Sequence, residues 1–243
     1  MPRDWDAAAY DRLPIPMTGW GEQVVAWLEL GGDERVLDAG CGTGQVTQAL
    51  RARLPRGTVI ALDGSASMIE RARGRLGDDR VEYLVHDLLD PIPIPPVDAI
   101  LSTATFHWIA DHQRLFANLA AVLGPGGQLA AQCGGAGNIA SVTESLRAFD
   151  PTIEWGKVFP GPKETEARLG AAGFVDIECW LHDAPTPIPA EDLELYLEAI
   201  CLGGVLEDLP EDRRRSIVSG VAAHMPEPAI DYVRLNVRAR RAG

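Results

Sequence analysis

The segment VLDAGCGTG, residues 36–44, decides the fold of this chain. An apolar run that leads into three alternating glycines, Gly40, Gly42 and Gly44, predicts a buried strand that turns sharply into a helix. The dinucleotide fingerprint has the spacing GxGxxG, whereas here the third glycine comes one residue early and Gln45 stands where that pattern has glycine. The segment therefore indicates a nucleotide-type loop that differs from the dinucleotide one.

The charge beside this loop narrows the choice of ligand. Asp38 lies two residues before the first glycine. A carboxylate there would repel a pyrophosphate but would attract a ligand that carries an ammonium and a sulfonium. The glycines would let backbone N–H and C=O groups approach that ligand without an intervening side chain. The pattern favours a cationic ligand.

Short apolar runs alternate with helix-like stretches on both sides of the loop. Strands are predicted over 35–39, 58–62, 81–86, 98–102 and 128–133, and helices over 44–53, 65–76 and 111–123. This alternation predicts right-handed crossovers and a parallel sheet covered on both faces. Its ligand crevice should lie at the carboxyl ends of the strands.

The pattern becomes less regular after residue 138. Helices are predicted over 139–149 and 164–172, and strands over 175–181 and 232–240, with further helix-like stretches at 190–202 and 210–224. We interpret about 188–226 as a helical insertion that caps the site, although the same helices could simply cover a sheet edge. The whole chain, 1–243, is expected to form one domain, with a terminal helix or lid in 1–30, a cofactor-binding core in 31–135 and a substrate-side half in 136–243.

Two further carboxylates follow neighbouring strands. Asp63 comes 25 residues after Asp38 and precedes Gly64, where a carboxylate can accept both hydroxyls of a ribose. Asp87 follows the third strand and could accept a hydrogen bond from the exocyclic amine of adenine. Each aspartate alone could be an ordinary turn or cap residue. Together, in this order, they predict a nucleoside site.

With these motifs the sequence resembles the class I S-adenosylmethionine-dependent methyltransferases. The likeness is carried by VLDAGCGTG at 36–44, ALDGSASMIERAR at 61–73, VEYLVHDLLD at 81–90 and LGPGGQLAAQ at 123–132. It implies an α/β fold, a Rossmann-like seven-stranded and mostly parallel sheet with helices on both faces and an antiparallel last strand. It also implies S-adenosyl-L-methionine as methyl donor and S-adenosyl-L-homocysteine as product.

The resemblance assigns roles around the donor. Asp38 and the backbone of 40–44 would hold its methionine end, Met68 would pack near the adenine, and Asp87 with the Leu88 backbone N–H would read the adenine edge. Core packing is an equally good account of Met68. The expected cofactor residues are Asp38, Gly40, Gly42, Gly44, Gln45, Asp63, Gly64, Met68, Asp87, Leu88, Thr103 and Tyr10.

The segment STATFHWIADH at 102–112 follows the fourth strand and is expected to face the methyl acceptor. It resembles that of the trans-aconitate methyltransferase type and related carboxylate methyltransferases, in which a Trp at the place of Trp108 lies near the substrate. His107 and Trp108 are the expected catalytic residues, with structural roles left open for both. A carboxylate acceptor needs no base, whereas a phenol, alcohol or amine would use one, and the ordinary pKa of histidine suits His107 to that task.

The N-terminal segment carries an unusual aromatic load, with Trp5, Tyr10 and Trp20 ahead of the first strand. In members of the family such a segment folds over the cofactor. We therefore hypothesise that Tyr10 and Met17 line a lid. Docking of a terminal helix on the domain is the competing interpretation.

Composition excludes several classes of function. A net charge of −13 disfavours nucleic acid and anionic membrane surfaces as partners. The cysteines (41, 133, 179 and 201) and the histidines (86, 107, 112, 182 and 224) lack disulfide or metal-site spacing. Without a signal peptide or transmembrane run, a cytoplasmic monomer or homodimer with a small-molecule acceptor is expected.

Three alternatives stay open at this point. An NAD-dependent oxidoreductase would share Asp63 and the βα alternation, although Asp38, Gly44 and Gln45 argue against it. A non-catalytic S-adenosylmethionine-binding protein would share the glycine loop. A nucleic-acid or protein methyltransferase fits the acidic charge less well.

Overall fold

The computed structural model describes residues 17–207 and 209–243 and is built on a seven-stranded sheet. The strands in chain order are β1 (Arg35–Ala39), β2 (Thr58–Asp63), β3 (Val81–Val85), β4 (Val97–Thr103), β5 (Leu123–Gly134), β6 (Phe174–Asp183), β7 (Thr186–Pro187), β8 (Ala229–Ile230) and β9 (Val233–Arg241). Across the large sheet the order is β3-β2-β1-β4-β5-β9-β6, and β7 pairs with β8 separately. Strands β1 to β5 are parallel, whereas β9 runs antiparallel to β5 and β6. The predicted fold class is confirmed.

Helices connect the strands and cover the sheet. They are α1 (Met17–Trp27), α2 (Gln45–Ala52), α3 (Ala66–Leu76), α4 (His112–Val122), α5 (Ala140–Phe149), α6 (Pro162–Ala171), α7 (Leu193–Tyr196), α8 (Gly203–Leu206) and α9 (Glu211–His224). Short 3₁₀ turns lie at Phe106–Trp108 and Ala190–Asp192, and a π turn lies at Leu197–Cys201. In the part of the chain described, no helix combines the length and apolar character needed to cross a bilayer.

The central strand β1 is buried on both faces. Leu37 and Ala39 belong to a cluster that includes Phe116 of α4, whereas Val36 belongs to one that includes Val24 of α1. Successive side chains of a strand point to opposite faces, so a strand covered on both sides is mainly apolar. Val36, Leu37 and Ala39 follow this rule, and Asp38 is the buried polar exception.

The chain turns out of β1 in a space that admits only glycine. The Gly40 N–H donates to the Leu62 carbonyl across 2.8 Å, and Gly40 has φ of +85°. A Cβ at Gly40 would lie 2.1 Å from the Thr105 hydroxyl oxygen. The turn therefore brings the ends of β1, β2 and β4 into direct contact, and this places the site.

Two predicted elements differ from the structure. Strand β5 begins at Leu123 rather than 128, because Leu123 pairs with Val97 across an irregularity in the register. The helix predicted over 190–202 is broken into a 3₁₀ turn, α7 and a π turn, which closes with a bond from the Leu202 N–H to the Leu197 carbonyl. Leu197 is completely buried in the cluster that also holds α5 and α9 residues, so packing decides the shape of this segment.

The contact between α9 and α5 depends on a glycine. Alanine substitutions at this glycine and at an uncrowded helical glycine should therefore change the free energy of unfolding in opposite directions. A Cβ at Gly220 would lie 2.2 Å from ring atoms of Phe149, whereas one at Gly74 of α3 meets nothing within 4 Å. Gly220→Ala should lower the free energy of unfolding by about 1–3 kcal/mol through overpacking. Gly74→Ala, the control, should raise it by about 0.5–1 kcal/mol because alanine favours helix. Urea unfolding measures both, and a Gly220→Ala protein as stable as the wild type would show that the helices do not pack in this way.

Candidate functional site

A cavity of about 450 Å³ lies along the carboxyl ends of the parallel strands. Its size is that of a small-molecule site, for which volumes of about 300–1,000 Å³ are usual. The residues predicted from the sequence that line it are Gly40, Gly42, Asp63, Gly64, Met68, Asp87, Leu88, Thr103, His107 and Trp108. The tertiary structure thus brings together residues from the ends of four strands.

One end of the cavity is lined by two carboxylates, Asp63 and Asp87, and is called here the acidic end. Asp63 accepts hydrogen bonds from the backbone N–H groups of Gly42 and Ser65, each across 2.9 Å. Asp87 accepts one from the Leu89 N–H across 2.9 Å. A carboxylate has about four acceptor positions, and carboxylates that line a cavity suit a ligand with hydroxyl or amine donors.

The glycine loop leaves room for a ligand to approach the backbone at Gly42 directly. Gly42 has φ of +53°, and a Cβ there would meet no described atom within 4 Å. Gly42 also lines the cavity, so its missing side chain opens the cavity wall. Gly44 has another purpose, because a Cβ there would contact Ala72 and Leu76 of α3. Its absence lets α2 and α3 approach each other.

Three of the predicted residues, Asp38, Gly44 and Gln45, are not among the described residues that line the cavity. Gln45 is the first residue of α2. Asp38 is only 1% exposed, and its Oδ2 accepts a bond from the Thr47 hydroxyl across 2.7 Å. Its Oδ1 is buried and has no hydrogen-bond partner in the described part of the chain.

The surroundings of Asp38 change its acidity. Burial raises the pKa of Asp38 to about 7, with the Thr47 hydrogen bond opposing the shift and the charge of Asp63 adding to it. The carboxyl therefore keeps its proton to a higher pH than an exposed aspartic acid does. An ammonium at Oδ1 would favour the ionised form and satisfy the orphaned oxygen. The carboxylate of Asp38, the accessible Gly42 backbone and the acidic end together fit S-adenosylmethionine.

The other end of the cavity, the cationic end, is lined by Lys157 and Arg234. The Lys157 ammonium lies 4.1 Å from the ring centroid of Trp108 and 5.1 Å from that of Trp155, and it donates to the Cys201 carbonyl across 2.8 Å. Cation–π contacts of this kind attract an ammonium to the face of an aromatic ring. Trp108, predicted as catalytic, thus contacts Lys157 at the cavity wall.

Arg234 is 2% exposed and lies at the start of β9. Its Nε donates to the Gln132 side-chain oxygen across 3.4 Å, and its guanidinium carbon lies 4.9 Å from the ring centroid of Trp20. Strands β2 and β9 are four places apart in the sheet, about 19 Å at the usual strand spacing. The cavity therefore runs from carboxylates at one end to cations at the other.

His107 lies between these ends in a state that does not suit a base. Its Nδ1 accepts a hydrogen bond from the Gly134 N–H across 3.3 Å. Burial, followed by the charges of Lys157 and Arg234, holds the pKa of His107 well below its usual range. The ring is therefore neutral with its proton on Nε2, so it is a hydrogen-bond donor. This geometry argues against the general-base role considered for His107 from the sequence.

Sequence reasoning missed Lys157 and Arg234. Lys157 is one of only two lysines in an acidic chain and is preceded by Trp155. Arg234 begins an alternation of polar and apolar residues, RLNVRAR, whose polar members share one face of β9. These signals mark a distinctive loop and strand. They do not reveal that Lys157 and Arg234 line the same cavity as the glycine loop, which depends on the place of β9 beside β5.

The capping insertion and the lid both stay predictions. Ile200 and Cys201, within the predicted insertion, line the cavity, as does Tyr232. The division of the chain into functional parts stays a prediction. Tyr10 lies outside the described residues, and Met17 begins α1. The lid hypothesis stays a prediction too.

The chain is similar to known proteins both in sequence and in fold. Residues 37–131 match the family described as Methyltransferase domain. Trans-aconitate 2-methyltransferase of Acidovorax ebreus (strain TPSY) is 37% identical over 129 residues, which are 53% of this chain and 49% of the relative. The enzyme of that name from Azoarcus sp. (strain BH72) is 32% identical over 196 residues, 79% of this chain and 71% of the relative.

The two matches differ in how much of each relative is covered. The match spans about half the length of the Acidovorax protein and more than two thirds of the Azoarcus protein. Among solved structures, the YcgJ protein of Bacillus subtilis superposes with a TM-score of 0.68 at 18% identity, covering 93% of this chain and 99% of that one. The structural match shows the fold alone.

The buried acid Asp38 predicts a pH-dependent loss of stability in the unliganded protein. The pKa of Asp38 is raised from 3.8 to about 7 on folding. Between these two pH values the native state keeps a proton that the unfolded state has lost. Stability due to Asp38 should fall by about 2–3 kcal/mol from pH 5 to pH 8. Asp38→Asn should remove this fall, as measured by urea unfolding at both pH values. Asp79→Asn, whose side chain is 70% exposed, is the control. Parallel pH dependence of wild type and Asp38→Asn would contradict the assignment.

The hydrogen bond to His107 predicts its tautomer. Long-range ¹H–¹⁵N spectra at pH 6.5 should show a neutral ring with a protonated Nε2 and an unprotonated Nδ1. The signal should stay unchanged from pH 6 to pH 8, since the pKa of His107 is well below its usual range. His107→Gln identifies the resonance by its disappearance. An imidazolium at pH 6.5, or a proton on Nδ1, would refute the geometry.

Proposed function

The chain belongs to the class I S-adenosylmethionine-dependent methyltransferases, and on this premise we propose that it methylates an oxygen of a small-molecule carboxylate. The observation that carries the proposal is the single cavity that joins the acidic end, Asp63 and Asp87, to the cationic end, Lys157 and Arg234. A nucleoside with hydroxyl and amine donors suits the first end, and a carboxylate suits the second.

Different residues are proposed to bind different parts of the methyl donor. Asp63 accepts the ribose hydroxyls and Asp87 the adenine amine, while Met68 lies against the ring. Asp38 accepts the ammonium at its orphaned Oδ1, beside the open backbone of Gly42. S-Adenosylmethionine, when bound, supplies a methyl group activated by its sulfonium and becomes the neutral thioether S-adenosylhomocysteine.

A carboxylate is the methyl acceptor that best matches the cationic and hydrogen-bond-donating groups of the cavity. A carboxylate is ionised at neutral pH and attacks without a base. Lys157 and Arg234 attract the anion, and the Nε2–H of His107 can donate to it. A phenol, alcohol or amine would need a proton acceptor, which a neutral His107 bonded through Nδ1 does not supply. The two curated relatives are named for trans-aconitate, which is a carboxylate.

Exclusion of water would complete the site. In-line methyl transfer depends mainly on holding donor and acceptor in contact and away from solvent. We propose that the insertion at about 188–226, through Ile200 and Cys201, covers the acceptor, and that the segment containing Tyr10 closes over the donor. Ile200 and Cys201 line the cavity, which supports the first part of this proposal.

The partners proposed for the chain follow from its charge. A net charge of −13 supports a small-molecule acceptor in place of nucleic acid or an anionic membrane. We propose a cytoplasmic enzyme acting as a monomer or homodimer. The oxidoreductase alternative finds no support, since the family match and both curated relatives are methyltransferases.

The proposal predicts donor binding and a specific product. S-Adenosylhomocysteine should raise the melting temperature of the chain and NAD should not. Asp63→Ala should abolish this rise by removing the ribose acceptor, whereas Asp78→Ala, whose side chain is 79% exposed, should keep it.

With labelled donor and trans-aconitate or other small organic acids, the product should be a methyl ester. Mild alkali releases the label from an ester as methanol and leaves a methyl ether or methylamine intact. Label stable to alkali, or no transfer to any acid despite donor binding, would contradict the proposed acceptor.

A further inference from the structure

Asn138 is a buried side chain of the cavity wall whose amide uses only one of its two ends. It is 4% exposed and lines the cavity. Its side-chain oxygen accepts the Val233 backbone N–H across 3.0 Å, and because a backbone N–H can only donate, this bond fixes which end of the amide is the oxygen. The amide nitrogen, Nδ2, therefore points away from Val233. It makes no hydrogen bond to a described residue and remains accessible.

The Asn138 amide nitrogen lies against Gly134, the last residue of β5. A Cβ at Gly134 would lie 2.7 Å from this nitrogen and 2.8 Å from the Phe159 ring, so only glycine leaves room for the amide. The Gly134 N–H donates to Nδ1 of His107, whose proton is therefore on Nε2. Asn138 and His107 thus contact the same residue, and each brings a neutral N–H donor to the cavity wall.

The loop that carries Asn138 is held in place by hydrogen bonds on both of its sides. The Gly135 N–H donates to the Val233 carbonyl across 2.9 Å, and the Ile139 N–H donates to the Asp231 carbonyl across 3.0 Å. The bond from the Val233 N–H to Asn138 lies between these two along the loop. A donor that is fixed before its ligand arrives loses little conformational entropy on binding.

The chemistry of this donor indicates what it binds. A buried N–H without an acceptor destabilises a protein, so the amide of Asn138 is best explained by an acceptor that arrives with a ligand. A wall that presents two N–H donors, from Asn138 and His107, suits a group that only accepts hydrogen bonds, and an ionised carboxylate is such a group. Strand β5 is two places from β1 and its glycine loop, about 10 Å at the usual strand spacing. A carboxylate beside Asn138 therefore lies on the side of the cavity that faces the methyl donor.

We propose that Asn138 binds the carboxylate that is methylated, donating through Nδ2 to the oxygen that does not attack. The inference rests on the proposed function and adds a residue that determines specificity. The attacking oxygen forms a bond to the methyl carbon while the carbon–sulfur bond breaks and its electron pair stays on sulfur, and no proton moves. The other oxygen becomes the carbonyl of the ester and still accepts a hydrogen bond. Asn138 therefore holds the group from carboxylate to ester.

The chain has three asparagines, Asn118, Asn138 and Asn236, and their side-chain amides allow a direct test. The full chain, labelled with ¹⁵N at the asparagine side chains and saturated with S-adenosylhomocysteine, receives acetate, benzoate, succinate or trans-aconitate. An acid that raises the melting temperature should shift one NH₂ pair and slow its hydrogen exchange with water. Asn118 donates to the Leu88 carbonyl across 2.9 Å and Asn236 to the Trp180 carbonyl across 3.3 Å, so their pairs are internal controls. Binding of an acid that leaves all three pairs unchanged, or no binding of any acid, would overturn the proposal.

Asn138→Asp separates recognition of the acceptor from structural support. Aspartate keeps an oxygen for the Val233 N–H and replaces the donor in the cavity with a second oxygen. The variant should keep the stabilisation by S-adenosylhomocysteine and raise the KM for the acid about 10- to 100-fold, with the KM for the methyl donor unchanged. A role confined to holding Val233 would leave the acceptor KM at the wild-type value, and this result would reject the proposal. If Asn138→Asp does not fold, the wild-type amide spectra decide.

Gln128→Glu is the matched control, because it makes the same change from amide to acid away from the cavity. Gln128 accepts the Glu29 N–H and donates to the Glu29 carbonyl, each across 3.0 Å. It should leave both KM values unchanged. If S-adenosylhomocysteine does not stabilise the protein, the proposed function fails. If methyl esters form and Asn138→Asp keeps the wild-type KM for the acid, the function stands and the inference about Asn138 fails.

Discussion

The close approach of Gly40 to Thr105 is the constraint on which the site depends. A side chain at Gly40 would overlap the Thr105 side chain, so only glycine lets the end of β1 lie against the loop after β4. The carbonyl of Leu62 accepts the N–H groups of both Gly40 and Cys41, which joins the end of β2 to the same turn. Three strand ends are thereby held within hydrogen-bond distance of one another, and the cavity forms above them.

The order of the strands places negative charges at one end of this cavity and positive charges at the other. Asp63 ends β2 and Asp87 follows β3 at one side of the sheet, whereas Arg234 is the second residue of β9, on the far side of β5. An antiparallel strand brings its first residues to the edge where parallel strands end, so β9 can supply a cation at the carboxyl edge. The antiparallel strand therefore has a direct consequence for the chemistry of the site.

Elements that depend on local sequence pattern could be predicted from the sequence, whereas elements that depend on contacts between remote residues could not. Strands β1, β2 and β4 were predictable because burial on both faces demands mainly apolar runs. The stretch 190–202 was predicted as one helix from local periodicity, yet packing of Tyr196 and Leu197 in a shared core breaks it into turns. In the site, the strand-end carboxylates were visible in the sequence, whereas Lys157 was not, because a long loop returns it to Trp108.

The sequence by itself determined the parallel sheet, the glycine turn and the carboxylates at the strand ends, because these depend on residues that are neighbours along the chain. Only the tertiary structure decided the shifted pKa values of Asp38 and His107 and the placement of Lys157 and Arg234 in one cavity. The reason is that acidity and ion recognition depend on burial and on the distance between charges. Both quantities arise between elements that are remote in sequence and adjacent only after folding.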